Sequence, residues 1–363
     1  MSSLQLLEFF AARHDVGAPL VLVTVTETVG STYSKPGHRI LIAADGQYHG
    51  LVSGGCLEGD LVEHARRIFV DGQPRTVRYA LSGDHDDVWG FGVGCDGSTT
   101  LLLQRLDAAN AWHPFAAIAA AYRGSRAAEV LLVTTSEHPR LPPGTTWVGA
   151  TAGTASAVPG LDAEDLAKLR TLAATASSSA AGGVHFSGVV DGHAISGWRE
   201  TIAPLPRILV LGAGPDAVPV VAGFHALGWP VTVGDHRPGY LSRPGFERAD
   251  RRLLVDEAAV AALVASEPWS AAIVMSHHLV ADERYVRALA GAELRYVGLL
   301  GPRRRRQRLL DRLTPELAER LTQRLHAPIG LDIGADSPAS IGLAIVAEVH
   351  AVLRRLPVAG TLS

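Results

Sequence analysis

The chain has 363 residues, of which 47% are apolar and 19% charged, so it can form two globular domains without a large disordered part. Its formal net charge of −3 argues against nucleic acid as a partner, because such proteins carry a basic excess. Charged residues interrupt every apolar run before the roughly 18 residues of a membrane span, and the first helix has no basic leader. We expect a cytoplasmic protein that binds neither nucleic acid nor membrane.

The first 106 residues predict an α+β domain. An amphipathic helix over 1–14 is followed by short apolar strands, by a tight turn at Asp45-Gly46 and by a helix that begins at or just after Cys56. The predicted strands are Leu20–Thr26, Arg39–Ala43, Gln47–Val52, Val77–Leu81 and Thr99–Arg105.

Residues 107–206 are rich in Ala, Thr, Gly and Ser and carry no recognisable chemical motif. Their strand Val130–Thr134, turn Pro143-Gly144 and helix Ala163–Ala174 repeat the order of elements in the first domain. We interpret this middle region as a degenerate repeat of that domain, without its cysteine.

Residues 207–363 predict a Rossmann-like domain, because five apolar runs alternate with helical patterns as in a parallel sheet with crossover helices. Ser337 and Pro338 are typical of the start of a last helix. The predicted strands are Ile208–Leu211, Val231–Val233, Arg252–Val255, Ala272–Met275 and Tyr296–Leu299. The fold class is therefore α/β, a C-terminal Rossmann-like parallel sheet with a separate N-terminal α+β domain.

A Gly-x-Gly-x-x-Ala turn, Gly212 to Ala217, follows the first of these strands. Gly212 would make the tight turn, Gly214 would let a pyrophosphate approach, and Asp235 would accept from a ribose hydroxyl. His277 and His278 lie at the same carboxyl edge, where either they contact a ligand or the pair has a helix-capping or loop role. Alternatively, the glycine turn is architecture in a domain that binds something else.

The chain has two cysteines, too few for a disulfide scaffold or a four-thiolate zinc site. Ser53-Gly54-Gly55-Cys56 precedes a helix, where free N–H groups and the macrodipole favour a thiolate or an anion, although Glu58 and Asp60 oppose this effect. The alternative is a small core cysteine. Cys95 lies in a second glycine-rich segment.

Two charged segments are given no site. We assign no metal to Asp84–Asp87 and interpret Arg303–Arg306 as a solvated helix face.

These motifs resemble the xanthine dehydrogenase accessory proteins, the XdhC/CoxI family. The resemblance covers roughly residues 15–106 and 205–355 and departs from the family at Asp96, Pro215 and Ser276, where glycine, histidine and threonine are usual. It rests on Gly30-Ser31, Pro36-Gly37, Ser53–Glu58, Gly94–Gly97, Gly212–Ala217, Asp235–Pro238, Ser276-His277, Tyr296–Gly301 and Ala327–Ile333.

The resemblance implies a homodimeric chaperone that binds molybdenum cofactor, as molybdopterin or its nucleotide form, without turnover of its own. A cysteine desulfurase would sulfurate the bound cofactor, which then passes to a xanthine dehydrogenase-type molybdoenzyme. Cys56 would be a molybdenum ligand, and the other cofactor-binding candidates are Ser53, Gly54, Gly55, Cys95, Gly212, Gly214, Asp235 and His277.

Two other functions fit the residues. One is an NAD(P)-dependent oxidoreductase in which the glycine turn binds the dinucleotide and His277 serves as acid or base. The other is an interaction scaffold, which would bind no small molecule.

Overall fold

The computed structural model describes residues 3–80, 97–150, 161–176 and 183–354, and the chain divides into two compact units, residues 1–204 and 205–363. Cys95 and the acidic residues 84–87 lie outside the described residues. No helix within the described ranges is long and apolar enough to cross a lipid bilayer.

The first unit contains two antiparallel sheets and the helices that pack on them. Helices α1 to α4 are Ser3–His14, Glu58–Asp71, Phe115–Arg123 and Ala163–Ala174. Strands β1 to β9 are Leu20–Gly30, Arg39–Ala43, Tyr48–Gly50, Arg75–Ala80, Gly97–Leu106, Ala128–Ser136, Thr146–Ala150, Val184–Val190 and His193–Ile202.

The first sheet has the strand order β3-β2-β1-β5-β4 and is covered on one face by α2. The apolar stripe of α2, which includes Leu61, Ala65 and Ile68, is buried against strand residues such as Val23 and Leu103. The predicted amphipathic helix after Cys56 is confirmed, and it positions the loop that carries the cysteine.

The second sheet has the order β7-β6-β9-β8, which matches the order β2-β1-β5-β4 within the first sheet. Its register shifts between Val133 and Thr135, as the first sheet shifts between Val25 and Glu27. The loops after these two bulges also close alike, because Gly37 N–H donates to Val25 O and Gly144 N–H donates to Val133 O, both at 2.8 Å.

A buried ion pair between Arg39 and Glu200 joins the two sheets, beside an apolar cluster that includes Trp198. The two charged side chains are only 6% and 8% exposed. Arg39 also donates to the Gly37 carbonyl at 3.0 Å. Gly37 has a φ of +89°, and a Cβ there would lie 2.6 Å from a Glu200 oxygen, so only glycine fits this loop.

The second unit is a doubly wound domain. Helices α5 to α11 are Ala217–Ala226, Pro238–Leu241, Glu257–Ser266, Leu279–Ala290, Arg303–Leu310, Pro315–Thr322 and Pro338–Leu353. Strands β10 to β15 are Ile208–Leu211, Val231–Asp235, Arg251–Leu254, Ala271–Val274, Tyr296–Leu299 and Leu325–His326.

All strand pairs of this sheet are parallel, in the order β12-β11-β10-β13-β14-β15. The five predicted strands are confirmed, and the sixth was missed because it has only two residues. Ser337 caps α11 with Pro338 in its first turn, also as predicted. The predicted α/β fold class is confirmed, with antiparallel sheets before residue 204 and a Rossmann-like parallel sheet after it.

Arg39→Met should lower the free energy of unfolding of the first unit by about 3–5 kcal/mol, because it leaves the Glu200 carboxylate buried without its partner. The double substitution Arg39→Met with Glu200→Leu should recover most of that loss, since no buried charge remains. Urea denaturation provides the measurement. Arg66→Met is the control, since it breaks an exposed pair with Glu63 and should cost about 0.5 kcal/mol. Equal losses for Arg39→Met and Arg66→Met would contradict the prediction.

Candidate functional site

The cysteine loop, residues 51–57, connects β3 to α2. Gly54 and Gly55 have φ values of +79° and +115°, which side chains adopt only with strain, so the two glycines are required by the path of the loop. Cys56 is half-buried and is not part of a disulfide. Its thiol is therefore not a core group, and the loop presents it next to the start of α2.

The Glu58 carboxylate holds the cysteine loop in place. One oxygen accepts from the backbone N–H groups of Val52 and Ser53 at 2.9 and 3.0 Å. The other accepts from Gly55 N–H at 3.1 Å and from the Ser53 hydroxyl at 2.5 Å. Ser53 Oγ in turn accepts from Leu57 N–H at 2.8 Å. Glu58 is 1% exposed, so these contacts replace its hydration.

Glu58 changes what the N-terminus of α2 can be expected to bind. From the sequence we expected it only to oppose a thiolate, whereas it satisfies the loop N–H groups that an external anion would otherwise use. Burial alone would raise the pKa of Glu58, but hydrogen bonds from Ser53 and from the backbone outweigh it and lower the pKa. The carboxylate thus stays ionised, and none of the hydrogen bonds that hold the loop uses the Cys56 thiol.

The second candidate site lies at the carboxyl edge of the parallel sheet, between β10 and β13, where the strand order reverses. This is where open α/β sheets bind ligands. Gly212 follows β10 with a φ of +129°, and a Cβ there would lie 2.5 Å from the Met275 carbonyl group and 2.6 Å from Ser276 N. The predicted tight turn at Gly212 is therefore fixed by contact with the adjacent strand end.

Asp235 ends β11 but faces inward. One carboxylate oxygen accepts from the N–H and the Nε of Arg237, each at 2.9 Å. The other accepts from Arg237 Nη2 at 2.9 Å and from Ala213 N–H at 2.7 Å. Burial would raise the pKa of Asp235, but these hydrogen bonds lower it. The predicted ribose acceptor is thus paired with Arg237.

Gly214 is also engaged by the chain itself. A Cβ on Gly214 would lie 2.5 Å from an Asp216 oxygen, so the space expected for a pyrophosphate holds the Asp216 carboxylate. Asp216 is paired with Nε2 of His277 at 2.6 Å. His277 is 58% exposed at its side chain and has a φ of +57°, an unusual conformation that places its ring over the turn.

The residues next to His277 are structural. Nδ1 of His278 accepts from Ala281 N–H at 3.2 Å and caps α8, one of the roles predicted for the histidine pair. Buried Asp282 accepts from Ser276 and pairs with Arg305. Burial raises the pKa of Asp282, although Ser276 and Arg305 act in the opposite direction. Arg305 is therefore partly buried in this network, unlike the solvated face that we predicted for its arginine run.

Within the described residues one group of potential metal ligands lies together, His138, Asp165 and Asp191. Both acids of this group already have cationic partners, because Arg140 contacts Asp165 at 2.7 Å and Lys168 contacts Asp191 at 2.8 Å. A divalent cation would have to displace both side chains, so we assign no metal to this group.

Glu58→Gln should lower the free energy of unfolding by about 2 kcal/mol at pH 7, since the amide loses the charge-assisted hydrogen bonds and turns a donor toward donors. Because folding lowers the pKa of Glu58, its stabilisation is present above the pKa of the unfolded glutamate and is lost as pH falls through the folded value. The difference between the two proteins should thus shrink on acidification, as measured by urea denaturation. The exposed Glu63→Gln is the control, and an equal effect there would contradict the assignment.

Gly212→Ala should destabilise the second unit by about 3 kcal/mol or prevent its folding, because the added Cβ meets backbone atoms that cannot rotate away. Thermal unfolding measures the effect. Gly291→Ala, where nothing lies within 4 Å of the added Cβ, should leave the midpoint nearly unchanged. Similar midpoints for both variants would show that the turn can open.

Family models match both ends of the chain. Residues 14–80 match the XdhC and CoxI family, and residues 208–349 match the XdhC Rossmann domain. The matched ranges include the cysteine loop and the glycine turn.

Several known proteins are similar to this chain. A Bacillus subtilis protein named as a probable subunit of xanthine dehydrogenase is 27% identical over 93% of this chain and 94% of its own length. The molybdenum cofactor insertion chaperone PaoD of Escherichia coli is 33% identical over 26% of this chain and 28% of its own. A crystal structure described as a xanthine dehydrogenase from Bacillus halodurans has a TM-score of 0.76 at 26% identity and covers 98% of this chain and 96% of its own. The chain belongs to the XdhC and CoxI family.

Proposed function

We propose that this protein is a chaperone that binds molybdenum cofactor and transfers it to a xanthine dehydrogenase-type molybdoenzyme. The observation that carries the proposal is the cysteine loop, in which Glu58 fixes the backbone and leaves the half-buried Cys56 thiol as the ligand group. Thiolates are suitable ligands for soft metal centres. A rigid loop with one thiol permits binding that is reversible on encounter with a partner.

Two relatives support this assignment. One is named as a molybdenum cofactor insertion chaperone, and it is 33% identical over 93 residues. Another, which matches 93% of the chain, is named as a probable subunit of xanthine dehydrogenase. The cofactor is cargo in this scheme, so the protein needs no turnover of its own. Cys95, Gly212 and His277 remain proposed cofactor-binding residues, whereas Asp235 and the space beside Gly214 are taken by Arg237 and Asp216.

In the wider scheme the chaperone acts in the cytoplasm as a homodimer. A cysteine desulfurase supplies sulfur to the bound cofactor before its transfer. Cys56 holds the metal end during that step and is released when the apoenzyme takes the cofactor.

The oxidoreductase alternative has less support. NAD at the glycine turn needs the carboxylate of Asp235 for its ribose, and both NAD and NADP need the space beside Gly214 for the pyrophosphate. Arg237 occupies the first and Asp216 the second. We therefore do not propose hydride transfer.

Cys56→Ser should lower the affinity for molybdenum cofactor at least tenfold without a change of fold, because a serine hydroxyl does not ionise near neutral pH. Purified protein is incubated with molybdenum cofactor, separated from free cofactor, and assayed for metal content and for pterin fluorescence after oxidation. We expect one cofactor per wild-type chain. Unchanged stoichiometry and affinity in a variant with a wild-type circular dichroism spectrum would refute the role of Cys56, and no binding to the wild type would refute the function.

A further inference from the structure

We propose that Arg237 makes the site at the carboxyl edge of the parallel sheet selective for a ligand with a terminal phosphomonoester and against one that ends in a ribose cis-diol. The inference deepens the proposed function, on which it rests for the identity of the natural ligand. It concerns the second unit alone and is independent of Cys56.

The first step is the loss of the diol acceptor. A carboxylate offers about four lone-pair sites. Those of Asp235 receive three hydrogen bonds from Arg237 and one from Ala213. Asp235 is fully buried, so no solvent-facing oxygen remains for a ribose. A diol could be accepted only by breaking the two-pronged pairing with the guanidinium.

The second step is the charge that replaces the acceptor. The side chain of Arg237 is 30% exposed, so a cation faces solvent where a dinucleotide site has an acid. Its Nε and Nη2 are committed to Asp235 and Ser276, whereas Nη1 has no hydrogen-bond partner among the described residues. An arginine in this place is the feature by which Rossmann domains accommodate a phosphate on the ribose.

The third step is rigidity. The guanidinium carbon of Arg237 lies 3.6 Å from the centroid of the Tyr240 ring, and that of Arg243 lies 3.8 Å from the same centroid. The cation–π contact and the pairing with Asp235 together fix the guanidinium plane. Arg243 adds a second positive charge close by. The arrangement therefore presents a preorganised cationic group that complements a phosphate dianion.

The consequence concerns the form of the proposed cargo. Molybdopterin without a nucleotide ends in a phosphomonoester, whereas the nucleotide form ends in a ribose with a free cis-diol. We infer that the second unit favours the form without a nucleotide.

The test uses two probes that differ only in the group at issue, adenosine 2′-monophosphate, in which a phosphomonoester replaces the free diol, and adenosine, which has the diol and no phosphate, with binding measured by titration calorimetry. The wild type should bind the monophosphate at least tenfold more tightly. Arg237→Ala should abolish this preference. Arg237→Lys, which keeps the charge but lacks the planar fork, should retain only part of it and serves if the alanine variant fails to fold. Arg243→Ala, which leaves the pairing with Asp235 intact, should retain a clear preference.

Equal affinity for the two probes, tighter binding of adenosine, or no binding of either to the wild type would overturn the inference, as would an unchanged preference in Arg237→Ala. Cys56→Ser should keep the wild-type preference, because neither probe contains a metal. If the nucleotide test fails, the proposal that Cys56 binds the cofactor is unaffected. If Cys56→Ser does not change cofactor binding, the proposed selectivity of Arg237 is unaffected.

Discussion

A carboxylate that is removed from water must find N–H or O–H donors in the protein, and three buried acids of this chain meet that requirement by fixing loops. Glu58 gathers the cysteine loop, Glu200 holds the Gly37 loop through Arg39, and Asp235 fixes the glycine turn and Arg237. Each carboxylate keeps these partners only while its loop keeps one conformation. The geometry of both candidate sites therefore depends on the pairing of an internal acid, Glu58 in one and Asp235 in the other.

The architecture was predictable because it follows from local pattern. Alternating apolar runs indicated the parallel sheet, and the strands Ile208–Leu211 and Tyr296–Leu299 were predicted with the bounds that the structure shows. Likewise, the apolar face after Cys56 indicated α2, and Ser337 with Pro338 marked the start of α11. Hydrophobic periodicity and capping act within a few residues, so the sequence displays them directly.

The chemistry of the sites was only partly predictable, because the decisive partners are set by folding. Asp235 follows the pattern of a ribose acceptor, and nothing local says that Arg237 turns back onto it. The pairing of Asp216 with His277 joins residues 61 positions apart. A signal for Glu58 was present, since an acid in the first turn of a helix often accepts from N–H groups of the preceding loop. Its charge alone, which opposes a thiolate, does not reveal that role.

The half-exposed position of Cys56 also bears on how the protein survives in a cell. A thiol that a bulky cofactor can reach is equally open to small oxidants, and its sulfenic acid no longer offers a thiolate to a metal. The loop would keep its shape after such oxidation, because Glu58 and not the sulfur holds the backbone. Oxidation would thus leave the fold unchanged and would not be recognised as misfolding. The fraction of protein able to bind cofactor would then depend on cellular reductants.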